Sequence, residues 1–129
     1  MSDCGVCIGS EPDGYCEFFI AETRKARKPH KCCECEKAIL PGERYEHARG
    51  KYEGDMWTSD TCLVCAEIAE AFYCNGRMFG GGLWDEMEYC YEAMNHSCFD
   101  KLQTAAAKTE LQRRWQVWKG LRAARPPER

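Results

Sequence analysis

Two C-x-x-C pairs, Cys32-Cys33-Glu34-Cys35 and Cys62-Leu63-Val64-Cys65, are the residues of this chain best suited to chemistry. Each pair offers two soft sulfur ligands from about one turn of backbone, and two such pairs brought together make the tetrahedral four-sulfur set that Zn2+ favours. The 26 residues between the pairs exceed the common ribbon spacing of roughly 15 to 20, so that segment must itself fold. A thioredoxin-like redox reading competes, but it needs a C-x-x-C between a strand and a helix of an α/β pattern, and no such run of strands surrounds either pair. The plain alternative, four ordinary buried thiols, requires two matched pairs to arise by accident.

The elements that must position these sulfurs can be read from the intervening residues. Pro41-Gly42 makes a turn, 43–49 alternates around Tyr45 and His47, 50–55 reads as a loop, and 56–58 returns as a second strand. After this β-hairpin, Asp60 or Thr61 caps a helix whose first turn presents Cys62 and Cys65, with Ala69 and Phe72 continuing that face toward a core. The helix N-terminus favours the thiolate form of both cysteines. The expected class is therefore α+β: a small zinc-binding domain made of a knuckle, a hairpin and a helix.

Knuckle, hairpin and ligand-bearing helix in that order resemble a treble-clef zinc finger over residues 31–73. More widely, the stretches ARKPHKCCECEKAILPGERYE, GGLWDEM and CFDKLQTAAAKTELQRRWQVWK look like a little-described bacteriophage and prophage family. That likeness implies a phage origin and a zinc site, and carries no activity with it.

The chain has 11 cysteines, so seven remain: Cys4, Cys7, Cys16, Cys33, Cys74, Cys90 and Cys98. Cys4-Gly5-Val6-Cys7 is a third C-x-x-C, whose glycine suits a tight knuckle, and it makes a second zinc site a candidate. Cys74 and Cys90 are its expected closing partners, with Cys16 and Cys33 competing. Cys33, between two ligands, reads as a spare thiol. Residues 1–7 show no basic start and no apolar signal-like run, and nowhere do about 18 apolar residues follow one another. These features predict a cytoplasmic protein without a membrane span, in which paired cysteines serve as ligands or redox groups.

A length of 129 residues suits one domain with appended elements: an N-terminal segment over 1–29, the finger over 30–74 and a helical extension over 75–129. In the extension, Leu83, Met87, Cys90, Tyr91 and Met94 share one helical face and read as core. Asn95-His96-Ser97 breaks that helix. The chain turns helical again from Phe99, restarting at Thr104 or Thr109 and running to about Ala124 before Pro126-Pro127, with Leu111, Trp115 and Trp118 as a stripe that either packs on the finger or, if the helix projects, binds a partner. Gly80-Gly81-Gly82 lacks the Lys-Ser/Thr of a phosphate cradle and reads as a flexible or closely packed loop.

The net charge of −3 conceals segregation. Residues 24–37 carry six bases against two acids and 101–129 eight against two, while 38–100 holds twelve acids against four bases. Arg24, Lys25, Arg27 and Lys28 before the knuckle, with Lys108, Lys119 and Arg122 on the last helix, form a candidate contact surface for nucleic acid or a protein partner. The leading expectation is a non-enzymatic, zinc-stabilised binding module contacting nucleic acid or a host protein, with no small-molecule substrate in view. The alternatives are an inhibitor of a host defence protein and an HNH-type, divalent-metal nuclease. The nuclease requires a general-base histidine in the hairpin and a His or Asn on the helix, and 66–70 offers neither there. His30 and His47 are not needed as ligands beside four sulfurs, and His47 reads as a half-buried packing residue.

Overall fold

The computed structural model describes residues 4–6, 8, 16–52, 54–73 and 81–124. Cys7 and Cys74 lie outside the described residues, as do the side chains of Cys16 and Arg122. The chain runs through β1 (Cys16–Lys25), β2 (His30–Lys31), β3 (Ala38–Ile39), β4 (Arg44–Tyr52), β5 (Asp55–Cys62), α1 (Leu63–Phe72), α2 (Leu83–Cys90) and α3 (Ala105–Ala124). Two 3₁₀ segments, Tyr91–Ala93 and His96–Lys101, join α2 to α3. The architecture is mixed α+β: a three-stranded antiparallel sheet in the order β1-β4-β5, a two-stranded β2-β3 ribbon, and helices.

The β4-β5 hairpin is the one expected from the alternation around Tyr45 and His47, lengthened at both ends. Threonine, tryptophan and tyrosine suit its pleated surface, and Gly54 turns it at φ 85°, a left-handed conformation that other residues enter at a cost. Cross-strand register puts Ala48, Gly50, Ser59 and Thr61 on one face, where all four are buried and α1 packs against both strands. The opposite face carries Ile20, Arg49, Met56 and Thr58, all exposed. Strand β1 was not foreseen: it is an outer strand of this sheet, its last two residues Arg24 and Lys25 open the basic patch, and Ala26 N–H donates to Glu43 O at 2.8 Å where the chain leaves β4.

The core lies between α1, α2 and α3, with Ile68, Phe72, Leu83, Met87, Leu102 and Leu111 fully buried. Leu83, Met87, Tyr91 and Met94 are buried as their spacing predicted, although the α-helix ends at Cys90 and the face continues in 3₁₀ form. Leu111 and Trp115 are buried and Trp118 is half-buried against Tyr91, so the stripe of α3 is a packing face. Trp115 lies against Phe99 and His96, and its Nε1–H donates to Tyr91 O at 3.2 Å. Val6 and Ile8 join this core, with Ile8 bridging to Tyr73. Beside them Cys4 is disulfide-bonded to Cys98. The expected second knuckle loses Cys4 by this bond: a sulfur linked to another sulfur is not a thiolate ligand. Of that candidate set, Cys90 is a half-buried free thiol in α2, held above the ordinary thiol range first by burial and then by Glu86.

Candidate metal centre

Cys32 and Cys35 sit in the turn between β2 and β3, and its backbone closes on itself. Cys32 N–H donates to Lys37 O at 2.9 Å and Glu36 N–H to Cys32 O at 3.0 Å. Glu36 takes φ 64° to complete the turn. On the other side, β5 runs directly into α1, and Cys62 serves as its N-cap in place of the expected Asp60 or Thr61. The Cys62 sulfur accepts from Cys65 N–H at 3.5 Å, the role an oxygen plays in an ordinary cap. Cys65 then falls one turn in, beside Cys62.

The result is that Cys32, Cys35, Cys62 and Cys65 bring their four sulfurs within 4.8 Å of one another, a group that could hold a metal ion. The Cys35 and Cys62 sulfurs are 3.8 Å apart. Cys32 and Cys65 are buried, whereas Cys35 and Cys62 are half-buried. Left to protons alone the set ionises unevenly: Cys32 falls far below the ordinary thiol range because Cys62 and Cys65 hydrogen-bond to it. By the same bonds Cys62 is pushed up to about 12 and Cys65 is pushed up further. A cation among the sulfurs would supply the charge that lets all four ionise.

Neighbouring residues hold the four cysteines in place, and sequence reading missed most of them. Asp60 is the hub between knuckle and hairpin. Its backbone oxygen accepts from Cys33 N–H at 2.9 Å, and its carboxylate meets His47 Nδ1 at 2.7 Å and His30 Nδ1 at 3.3 Å. His47 is therefore more than a packing residue, and His30 stacks on Tyr45 at 4.8 Å. Cys33 points away from the centre, with Thr61 Oγ1 at 3.4 Å and Ser59 Oγ at 3.6 Å, as a spare thiol should. From the helical side, Trp84 Nε1–H donates to Cys65 Sγ at 3.4 Å, and Arg114 lies 3.9 Å over the Trp84 ring. Glu110 holds Arg114 at 3.0 Å and Lys37 at 3.1 Å, joining α3 to the knuckle. Glu34 accepts from Leu83 N–H at 3.1 Å, so the start of α2 lies beside the turn that carries Cys32 and Cys35. Gly81 and Gly82, at φ 116° and 95°, supply the left-handed backbone that this helix start needs. No local motif announces Trp84 or Asp60, because their partners are distant in sequence.

The candidate contact cations whose side chains are described are placed as follows. Arg24 is ion-paired with Glu22, and Lys119 Nζ lies 3.5 Å over the Trp115 ring. Lys25, Arg27 and Lys28 are exposed at the end of β1 and after it, and Lys108 is exposed on α3. No helix among the described residues is long and apolar enough to cross a membrane. Compared with known proteins, the chain matches no family model, no curated sequence and no solved structure.

Proposed function

We propose that this chain is a non-enzymatic binding module stabilised by one Zn2+ on Cys32, Cys35, Cys62 and Cys65, and that it recognises a protein partner. The sulfur cluster carries the reading. Zinc–sulfur bonds of about 2.3 Å in a tetrahedron put sulfurs about 3.8 Å apart, and Cys35 and Cys62 already stand at 3.8 Å. Four sulfurs leave no open position for water, which suits a structural ion and not a hydrolytic one. The order of knuckle, hairpin and helix is that of a treble clef.

For the partner, the support comes from the exposed sheet face. Ile20 and Met56 are 49% and 64% exposed on the outer strands, with Arg49 exposed on the strand between them, an apolar and arginine mixture typical of protein contacts. Cations already engaged by Glu22 and Trp115 weaken the case for a continuous phosphate surface. A phage origin, which the sequence resemblance implies, makes the partner a host protein and keeps interference with host defence within this reading. The nuclease alternative finds no His or Asn on LVCAEIAEAF of α1, and His47 shares Asp60 with His30.

Metal analysis of the purified chain should give one zinc per molecule. Serine at Cys32, Cys35, Cys62 or Cys65 should abolish binding and unfold much of the domain, since structural zinc contributes on the order of 10 kcal/mol to folding. Full zinc in all four variants sinks the assignment. The partner class is decided by titrating DNA and RNA at low salt: affinity that falls with a log–log slope of about −0.7 to −0.9 per phosphate contact would replace the protein reading with a nucleic-acid one. Capture from bacterial lysate that survives nuclease treatment and is lost on Ile20→Glu with Met56→Glu supports the protein partner.

A further inference from the structure

The four sulfurs are not equivalent, and their inequality has a chemical direction. Cys32 and Cys65 are 0% and 1% exposed, while Cys35 and Cys62 are half-buried. A cleft of about 490 Å³, walled by Ile39, Val64, Ala105 and Ala106, is lined by Cys35, Cys62 and Cys65, and of these three sulfur residues Cys35 and Cys62 are the less buried. The sulfurs also differ in their donors. Cys32 Sγ accepts from Glu34 and Cys35 N–H at 3.4 and 3.5 Å, Cys62 Sγ from Cys65 N–H at 3.5 Å, and Cys65 Sγ from Trp84 Nε1–H at 3.4 Å. Among the described residues no N–H reaches Cys35 Sγ. An N–H bond draws electron density from a thiolate and blunts it as a nucleophile, so the sulfur that lacks one and faces solvent reacts first.

We infer that Cys35 is the oxidation site of this centre and that Cys62 is the thiolate that resolves it. The inference rests on the zinc reading above. The reagent is a small peroxide, which the cleft admits. The Cys35 thiolate attacks one peroxide oxygen, the O–O bond breaks and hydroxide leaves, so Cys35 becomes a sulfenic acid. Cys62 Sγ, 3.8 Å away, then attacks the Cys35 sulfur and expels a second hydroxide, forming the Cys35–Cys62 disulfide. Two sulfurs are oxidised and one peroxide is reduced to two hydroxides. Zinc is left with Cys32 and Cys65 alone, too few sulfurs for a tetrahedral site, and departs.

The test uses the full chain, shown first by native mass spectrometry to carry one zinc. If it carries none, the functional reading fails before the inference is tested. Hydrogen peroxide is added stepwise, free thiols are alkylated, and peptides are mapped while a chromogenic chelator follows zinc. The expected result is one zinc released per Cys35–Cys62 disulfide, with Cys35 lost from the alkylated pool about ten-fold faster than Cys32 or Cys65. Cys33→Ser and Cys90→Ser, both outside the sulfur cluster, should leave that disulfide and its rate unchanged. First reaction at Cys33 or Cys90, a bond within either C-x-x-C pair, or equal loss of all four sulfurs overturns the inference while leaving the zinc site standing.

Discussion

Glu36 closes the knuckle at φ 64°, the one non-glycine residue with positive φ among the described residues. A side chain in that region costs about 1 kcal/mol, and Glu36 receives little in return because its ion pair with Lys31 spans 3.7 Å between two exposed groups. Glu36→Gly should therefore stabilise the zinc-loaded domain by roughly 0.5 kcal/mol, after the added freedom of glycine in the unfolded chain is counted. A urea midpoint that rises slightly checks this; a fall would mean that the carboxylate has a role the turn does not reveal. The two C-x-x-C pairs were legible in the sequence because a ligand pair is a local pattern. Asp60, Trp84 and Glu110 were not, since each acts on a residue remote along the chain, and a single sequence does not record which distant side chains meet.

Helix α3 begins where Glu67 of α1 reaches it. The Glu67 carboxylate accepts from Thr104 Oγ1 at 2.7 Å, from Thr104 N–H at 3.1 Å and from Gln103 N–H, while Thr104 Oγ1 itself accepts from Ala107 N–H at 3.2 Å. One acid on one helix thus satisfies the backbone donors leading into another. Burial works to raise the Glu67 pKa, but the bonds from Thr104 and Gln103 and the charge of Lys108 outweigh it, and the pKa lies below the ordinary 4.5. Because the folded state favours the ionised form, its contribution is complete above that ordinary value and is lost as pH falls through the lower, folded value. Glu67→Gln should cost about 1 kcal/mol at pH 7, discounted for a half-exposed group, and the difference from the parent should vanish on acidification through that window. Denaturant unfolding at several pH values measures it; a gap that persists unchanged into strong acid would show that charge is not the cause.

Thr104 was among the helix starts expected from sequence, and the buried stripe of α3 followed from spacing alone. Strand β1 escaped because CEFFIAETRK lacks clean alternation and ends in cations, so only pairing with β4 makes it a strand.

Cys4 and Cys98 are joined across a sequence separation of 94, and no pattern of spacings could have identified that pair among 11 cysteines. The bond ties the first described residues to the segment before α3, where Lys101 Nζ also holds Val6 O at 3.2 Å. Closing so long a loop removes much freedom from the unfolded chain, so the Cys4→Ser, Cys98→Ser double variant should lose about 2–4 kcal/mol. The parent under a reductant should lose the same amount, provided zinc is kept saturating. Equal stability of oxidised and reduced chains would mean that packing of Val6 and Ile8 alone secures the N-terminal segment.

The disulfide and the proposed metal site are nested, residues 32 to 65 lying wholly inside 4 to 98. A growing chain therefore meets them in a fixed order. The last sulfur of the inner set is Cys65, and Cys98 is the 33rd residue the ribosome adds after it. At about 5–20 residues per second that interval is about 2–7 s, during which the inner unit can capture its ion while Cys4 has no legitimate mate. The nascent finger is thus asked to mature first and to keep its four sulfurs out of reach of the waiting Cys4.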